Sequence, residues 1–118
     1  MTDAGCLDPT VLADIRALSA PGEDLLADVV RLFVADVPDQ LRTLRHALDG
    51  RDAAAARRTA HRLKGSALAA GARQLAAVCA AVEDAAREGD VDRAASCAST
   101  LDVEFHAARV ALEREVQS

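Results

Sequence analysis

The chain has 118 residues, enough for one compact domain, with 51% apolar residue types, 28% charged and only 2% aromatic. Its 28 alanines, with abundant Leu, Arg and Glu, favour helix over sheet, and two phenylalanines cannot build a platform for stacking nucleic-acid bases. A formal net charge of −5 excludes the molecule as a whole as a polyanion binder.

The charge is unevenly spread. Between residues 51 and 73, Arg51, Arg57, Arg58, Arg62, Lys64 and Arg73 stand against Asp52 alone, which leaves a balance of −10 elsewhere. One basic segment inside an acidic protein points to a local site for something negative.

Turn signals divide the chain into five predicted helices. Asp8 and Pro9 supply a cap and a first helical residue for a short helix over about 8–18, closed by Ser19-Ala20-Pro21-Gly22. A long helix over about 22–49 follows, because Leu26, Val30, Phe33, Val37, Leu41, Leu44 and Leu48 recur in steps of three and four. Pro38 lies inside that run and predicts a kink rather than an end, since the period resumes after it. Gly50 stops the helix and Asp52 caps the next, over about 52–70, whose inner face carries Ala56, Ala60, Leu63, Ala67 and Ala70. A helix over about 72–88 shows Leu75, Cys79, Val82 and Ala86, and one over about 90–116 shows Ala94, Ala98, Leu101, Phe105, Ala108 and Leu112. The fold expected is all-α: an antiparallel up-down four-helix bundle with a short additional N-terminal helix, forming a single domain over 1–118.

Cys6, Cys79 and Cys97 lack metal-ligand spacing. Cys79 and Cys97 read as small core filler and Cys6 as an exposed terminus. His46 and His106 have no partner spacing, and no His-x-x-x-His or Cys-x-x-Cys supports a metal site. The first residues hold no apolar run and no stretch is long enough to span a membrane, so a cytoplasmic protein that binds neither membrane nor nucleic acid is expected.

The informative stretch is Ala60-His61-Arg62-Leu63-Lys64-Gly65-Ser66-Ala67, running on to Gly71-Ala72. On a helical wheel Leu63 and the alanines point inward. His61 falls on the opposite side, in a stripe with Ala54, Arg58, Gly65, Leu68, Ala69 and Ala72. A glycine inside a helix costs about 1 kcal/mol relative to Ala, so Gly65 among so many alanines wants a reason. Leaving the imidazole open to a partner is one. Lys64, the only lysine, lies three residues from His61 and is placed to meet an anion on the ring, unless an Arg-rich sequence simply spared one lysine. If the chain turns about Gly71-Ala72, His61 and Glu83 are level, eleven residues to either side of Ala72. A carboxylate there would accept one ring proton and leave the other nitrogen as a nucleophile. On the residues alone, Glu83 reads equally as a surface carboxylate on an Ala-rich helix.

The stretch His61-Arg62-Leu63-Lys64-Gly65-Ser66-Ala67 with Gly71-Ala72 resembles the phosphorylation signature of histidine-containing phosphotransfer (HPt) domains. Phe33, Pro38, Leu41 and Leu44 are similar to that family's second helix, and Leu75, Cys79, Val82, Glu83 and Gly89-Asp90 to a later one. The resemblance covers nearly all of residues 7–115, with Ala67 in place of the commoner Ser.

It implies a phosphorelay intermediate that carries a phosphoryl group reversibly on His61 between receiver-domain aspartates. Lys64, Glu83 and Arg58 would orient or stabilise that group, and Ala54, Gly65, Leu68, Ala69 and Ala72 would form the docking surface. The implied partners are response-regulator receiver domains and a hybrid sensor histidine kinase. No metal or cofactor of its own is expected; Mg²⁺ would come with the receiver. The chain is expected to be a monomer and no kinase, since it shows no nucleotide-binding glycine loop. The competing reading is a helical protein-interaction module without chemistry, which would tolerate loss of His61.

Overall fold

The computed structural model describes residues 5–117. Among them lie six α-helices: α1 Pro9–Leu18, α2 Leu25–Asp49, α3 Ala53–Ala69, α4 Arg73–Arg87, α5 Val91–Ala98 and α6 Leu101–Gln117. The expected final helix over 90–116 is therefore two. Ser96-Cys97-Ala98-Ser99-Thr100 is a poor helical stretch, and the Ser99 hydroxyl donates 2.7 Å to the Ser96 carbonyl, an oxygen that the next turn would otherwise use. Thr100 then opens α6 by accepting from the Glu104 amide at 2.9 Å.

Helices α2, α3 and α4 form three columns of the bundle, and α5 followed by α6 forms the fourth. The expected apolar face of α2 is buried from Leu26 to Leu44, with Leu48 half-buried, and the helix continues through Pro38 without a break. Ala56, Ala60, Leu63, Ala67 and Ala70 of α3 meet Leu75, Cys79, Val82 and Ala86 of α4 in the core. Small side chains at so many contacts let these two backbones approach closely, and α3–α4 is the most extensive helix pair. Phe33 and Phe105 pack with ring centres 5.3 Å apart between α2 and α6. Burial pushes the Cys79 thiol up to about 12, so it is an inert core group, as its surroundings suggested. Cys97 packs half-buried against the core. Cys6 does too, which corrects the expectation of an exposed terminus.

The turns are built alike. After α3, the Gly71 amide donates to the Leu68 carbonyl at 3.1 Å and the Ala72 amide to Ala67 at 2.8 Å. After α4, Gly89 and Asp90 repeat the pattern onto Ala86 and Ala85. After α2, Arg51 and Asp52 repeat it onto Leu48 and Ala47. This reverse turn needs a left-handed residue at the first position past the cap. Gly71 and Gly89 supply it with φ of 76° and 77°; in the third turn it is Arg51, at φ 54°, while Gly50 beside it sits at φ −81°.

The N-terminal segment ties down the α3–α4 turn. The Asp8 amide donates to the Gly71 carbonyl at 2.8 Å, and the Gln74 amide, in the otherwise uncapped first turn of α4, donates to the Cys6 carbonyl at 3.4 Å. A methyl group on Gly71 would touch Val11 at 3.4 Å. The segment that leads into α1 therefore braces the α3–α4 hairpin that carries His61.

Candidate functional site

Asp52 caps α3 by accepting from the Ala55 amide at 3.0 Å, and the Gly71 turn sets α4 antiparallel beside it. His61 and Glu83 then meet at mid-height, as the equal spacing about Ala72 predicts. His61 Nδ1 lies 2.9 Å from Glu83 Oε2. The imidazole is 64% exposed, whereas the carboxylate beneath it is only 4% exposed. Glu83 is thus no surface residue; it is covered by the side chains that pair with it.

Two cations share that carboxylate. Lys64 Nζ stands 2.7 Å from Oε1, and Arg87 reaches Oε2 at 3.1 Å while also holding Asp84 at 2.7 Å. The Lys64 contact is a close ion pair without the directionality of a hydrogen bond, so Oε1 has charge compensation but no aligned donor. Lys64 is the main reason that the Glu83 carboxyl is held below the usual carboxylate range; burial works against it, and the His61 bond adds to it. An ionised carboxylate only accepts. The ring nitrogen facing it must therefore carry the proton, and in the neutral imidazole Nε2 keeps the lone pair. Among the described residues, no side chain bonds Nε2.

The surface around the ring is open. A Cβ on Gly65 would meet nothing within 4 Å, and its backbone is ordinary helix. Ala54, Leu68 and Ala69 are exposed on the same side, with Leu68 52% exposed. Ala72 is not: it is fully buried as the cap of α4, because the chain has left the helical path at Gly71 before reaching it. The wheel extended a helix past its end. Arg58 is exposed one turn before His61 and joins none of the contacts to Glu83; the arginine that does is Arg87. Its spacing four residues after Glu83 was the legible signal.

Helix α2 also contributes to this face. An open groove runs between α2 and α3, lined by Val29, Leu32, Phe33, Asp36, Ser66, Ala69 and Ala70, with Leu32 62% exposed at its lip. His46 and His106 are exposed elsewhere. Among the described residues, no three His, Cys, Asp or Glu side chains are grouped to hold a metal ion, and no helix is long and apolar enough to cross a membrane.

The Hpt domain family model matches residues 28–116, a span that includes the whole His61–Glu83 site. This chain belongs to the Hpt domain family. It is a phosphorelay intermediate of the histidine phosphotransfer type. Its structure is similar to the crystal structure of histidine-containing phosphotransfer protein B from Pseudomonas aeruginosa PAO1, at TM-score 0.87 and 34% identity, covering 97% of this chain and 96% of that one. It shares the fold of a histidine-containing phosphotransfer protein from maize, at TM-score 0.82 and 24% identity, over 99% of this chain and 87% of that one. No curated protein matches.

Proposed function

We propose that His61 is the phosphorylated residue of this Hpt domain and that it exchanges the group with the aspartate of a receiver domain. The observation that carries this reading is the exposed imidazole whose Nδ1 is bound to a buried, ionised Glu83. The Nε2 lone pair attacks phosphorus of an aspartyl phosphate, the N–P bond forms, and the P–O bond to the aspartate breaks with its electron pair leaving on the carboxylate. The ring keeps its Nδ1 proton and becomes cationic, and Glu83 stands 2.9 Å away to offset that charge. The reverse step returns the group to an aspartate by the same geometry. Lys64 holds Glu83 until a phosphoryl group on Nε2 offers its flexible ammonium a second anion. The receiver supplies the divalent cation that the transferring oxygens require. Transfer needs no nucleotide, so the chain acts as a carrier and not as a kinase.

The docking surface in this reading runs from Gly65, Leu68 and Ala69 across the groove to Leu32 and Val29. A receiver domain, loaded with phosphate from acetyl phosphate and Mg²⁺, is mixed with the protein. Label is expected on His61 in an acid-labile, base-stable form and absent from His61→Gln. Label retained by folded His61→Gln would falsify the assignment.

A further inference from the structure

The arginines of this protein are not used alike. Arg16, Arg31, Arg42, Arg45, Arg51, Arg87, Arg93 and Arg109 each hold a carboxylate of the same chain. Arg73 and Arg114 have interactions as well. Arg57, Arg58 and Arg62 are the arginines that, among the described residues, have no intramolecular ion pair, and all three are exposed on α3. They span about 8 Å of helix axis at 1.5 Å per residue, within one Debye length at physiological salt. At about 100° per residue, Arg57 stands to one side of His61, and Arg58 and Arg62 stand to the other. The reactive ring is bracketed by uncompensated positive charge.

The rest of the molecule carries a net negative charge. Without Arg57, Arg58 and Arg62 the chain sums to −8, and the neighbouring cations Arg51 and Lys64 are paired with Asp92 and Glu83, so the three arginines are a patch of unpaired positive charge on an acidic body. A neutral partner would gain little from such an arrangement. An acidic one is repelled by the net charge of the rest of the molecule and attracted by these three arginines, so its approach is turned toward His61.

We propose that Arg57, Arg58 and Arg62 form a steering collar for a receiver domain whose face around its phosphorylated aspartate carries net negative charge. This rests on the functional reading above and adds how the partner finds the site. The collar acts on the encounter, before any atom of the phosphoryl group moves.

Two variants of equal net charge separate the collar from the overall charge. In the first, Arg57, Arg58 and Arg62 are changed to Gln; in the second, Arg16, Arg31 and Arg109, which lie on other helices, are changed to Gln. Each brings the formal charge from −5 to −8. The second-order rate of phosphate transfer from the acetyl-phosphate-charged receiver is measured from low to high salt. For the parent protein and the Arg16/Arg31/Arg109 variant, salt should slow transfer. The collar variant should be slower by about 10-fold or more at low salt and should then speed up as salt is added, because only repulsion is left to screen. Equal slopes in the two variants, or a parent rate independent of salt, overturn the collar while leaving His61 as the acceptor. A parent protein that takes no phosphate from the receiver overturns the functional reading and the collar with it.

Discussion

Gly65 and Gly71 stand six residues apart, and they serve opposite masters. Gly71 belongs to the fold: its φ of 76° is left-handed, its amide and carbonyl are both bonded, and Val11 lies against the place where a side chain would begin. Gly65 belongs to the surface: its backbone is regular helix, and a Cβ placed there would meet nothing within 4 Å. The bundle itself gives no reason for a glycine at 65. The exposed face of α3 around His61 is shaped for something outside the molecule, while the turn that ends α3 is shaped by the chain itself.

That contrast is broken most severely at Gly65. Gly65→Gln should keep the fold and gain from a few tenths to about 1 kcal/mol in helix stability. The same change should slow transfer from a phosphorylated receiver by about 100-fold, since the reacting atoms can no longer reach bonding range. Thermal denaturation and transfer kinetics on one sample check both. A variant that is more stable and equally fast would leave Gly65 without a role.

Glu83 tests the same face from below. Glu83→Ala should slow transfer by about 10-fold, the scale of one hydrogen bond that orders the ring. Glu83→Gln should cost less, because its amide oxygen still accepts the Nδ1 proton. Nitrogen NMR of the His61 ring should show the Nδ1–H tautomer in the parent and a mixture in Glu83→Ala. Acid gives a second readout. Because the folded state holds the Glu83 carboxyl below its unfolded value, its stabilisation is present above the ordinary carboxylate range and is lost as pH falls through the lower, folded value. Acid titration of stability should therefore be shallower in Glu83→Gln than in the parent.

At the turn, effects should appear in stability alone. Gly71→Ala places a Cβ in the left-handed region and should cost about 1–2 kcal/mol in denaturant unfolding, with the folded fraction transferring phosphate normally. Arg51 offers the smallest and reverse effect. It occupies in the α2–α3 turn the place that Gly71 and Gly89 occupy in the other two. Arg51→Gly relieves that strain and gives up an exposed pair with Asp92, for a net gain below about 1 kcal/mol. A loss in the same unfolding experiment would mean that the pair outweighs the strain.

The sequence was most legible where periodicity and spacing act locally. The buried faces of α2, α3 and α4 follow from steps of three and four, because a helix has only one way to turn such a pattern inward. The His61–Glu83 pairing followed from counting outward from the turn, because two antiparallel helices of equal rise keep residues level. Periodicity says least at helix ends. A wheel carries Ala72 past a turn that has already redirected the chain, and the break at Ser99–Thr100 lies inside an apolar period that continues across it.

The sequence by itself determined the first four helices, their inward faces and the histidine with its signature, because each rests on residues close along the chain. Only the tertiary structure decided what the charges do. Arg31, Arg42, Arg87 and Arg109 pair within their own helices, but whether the other arginines are spent on a carboxylate or left for a partner depends on which segment lies alongside, and that is a matter of packing. Packing drew Lys64 onto a covered Glu83, gave Arg45 to Asp102 and Arg51 to Asp92, and left Arg57, Arg58 and Arg62 facing outward. A net charge can be summed along a chain, but a charge is cancelled only by a neighbour in space.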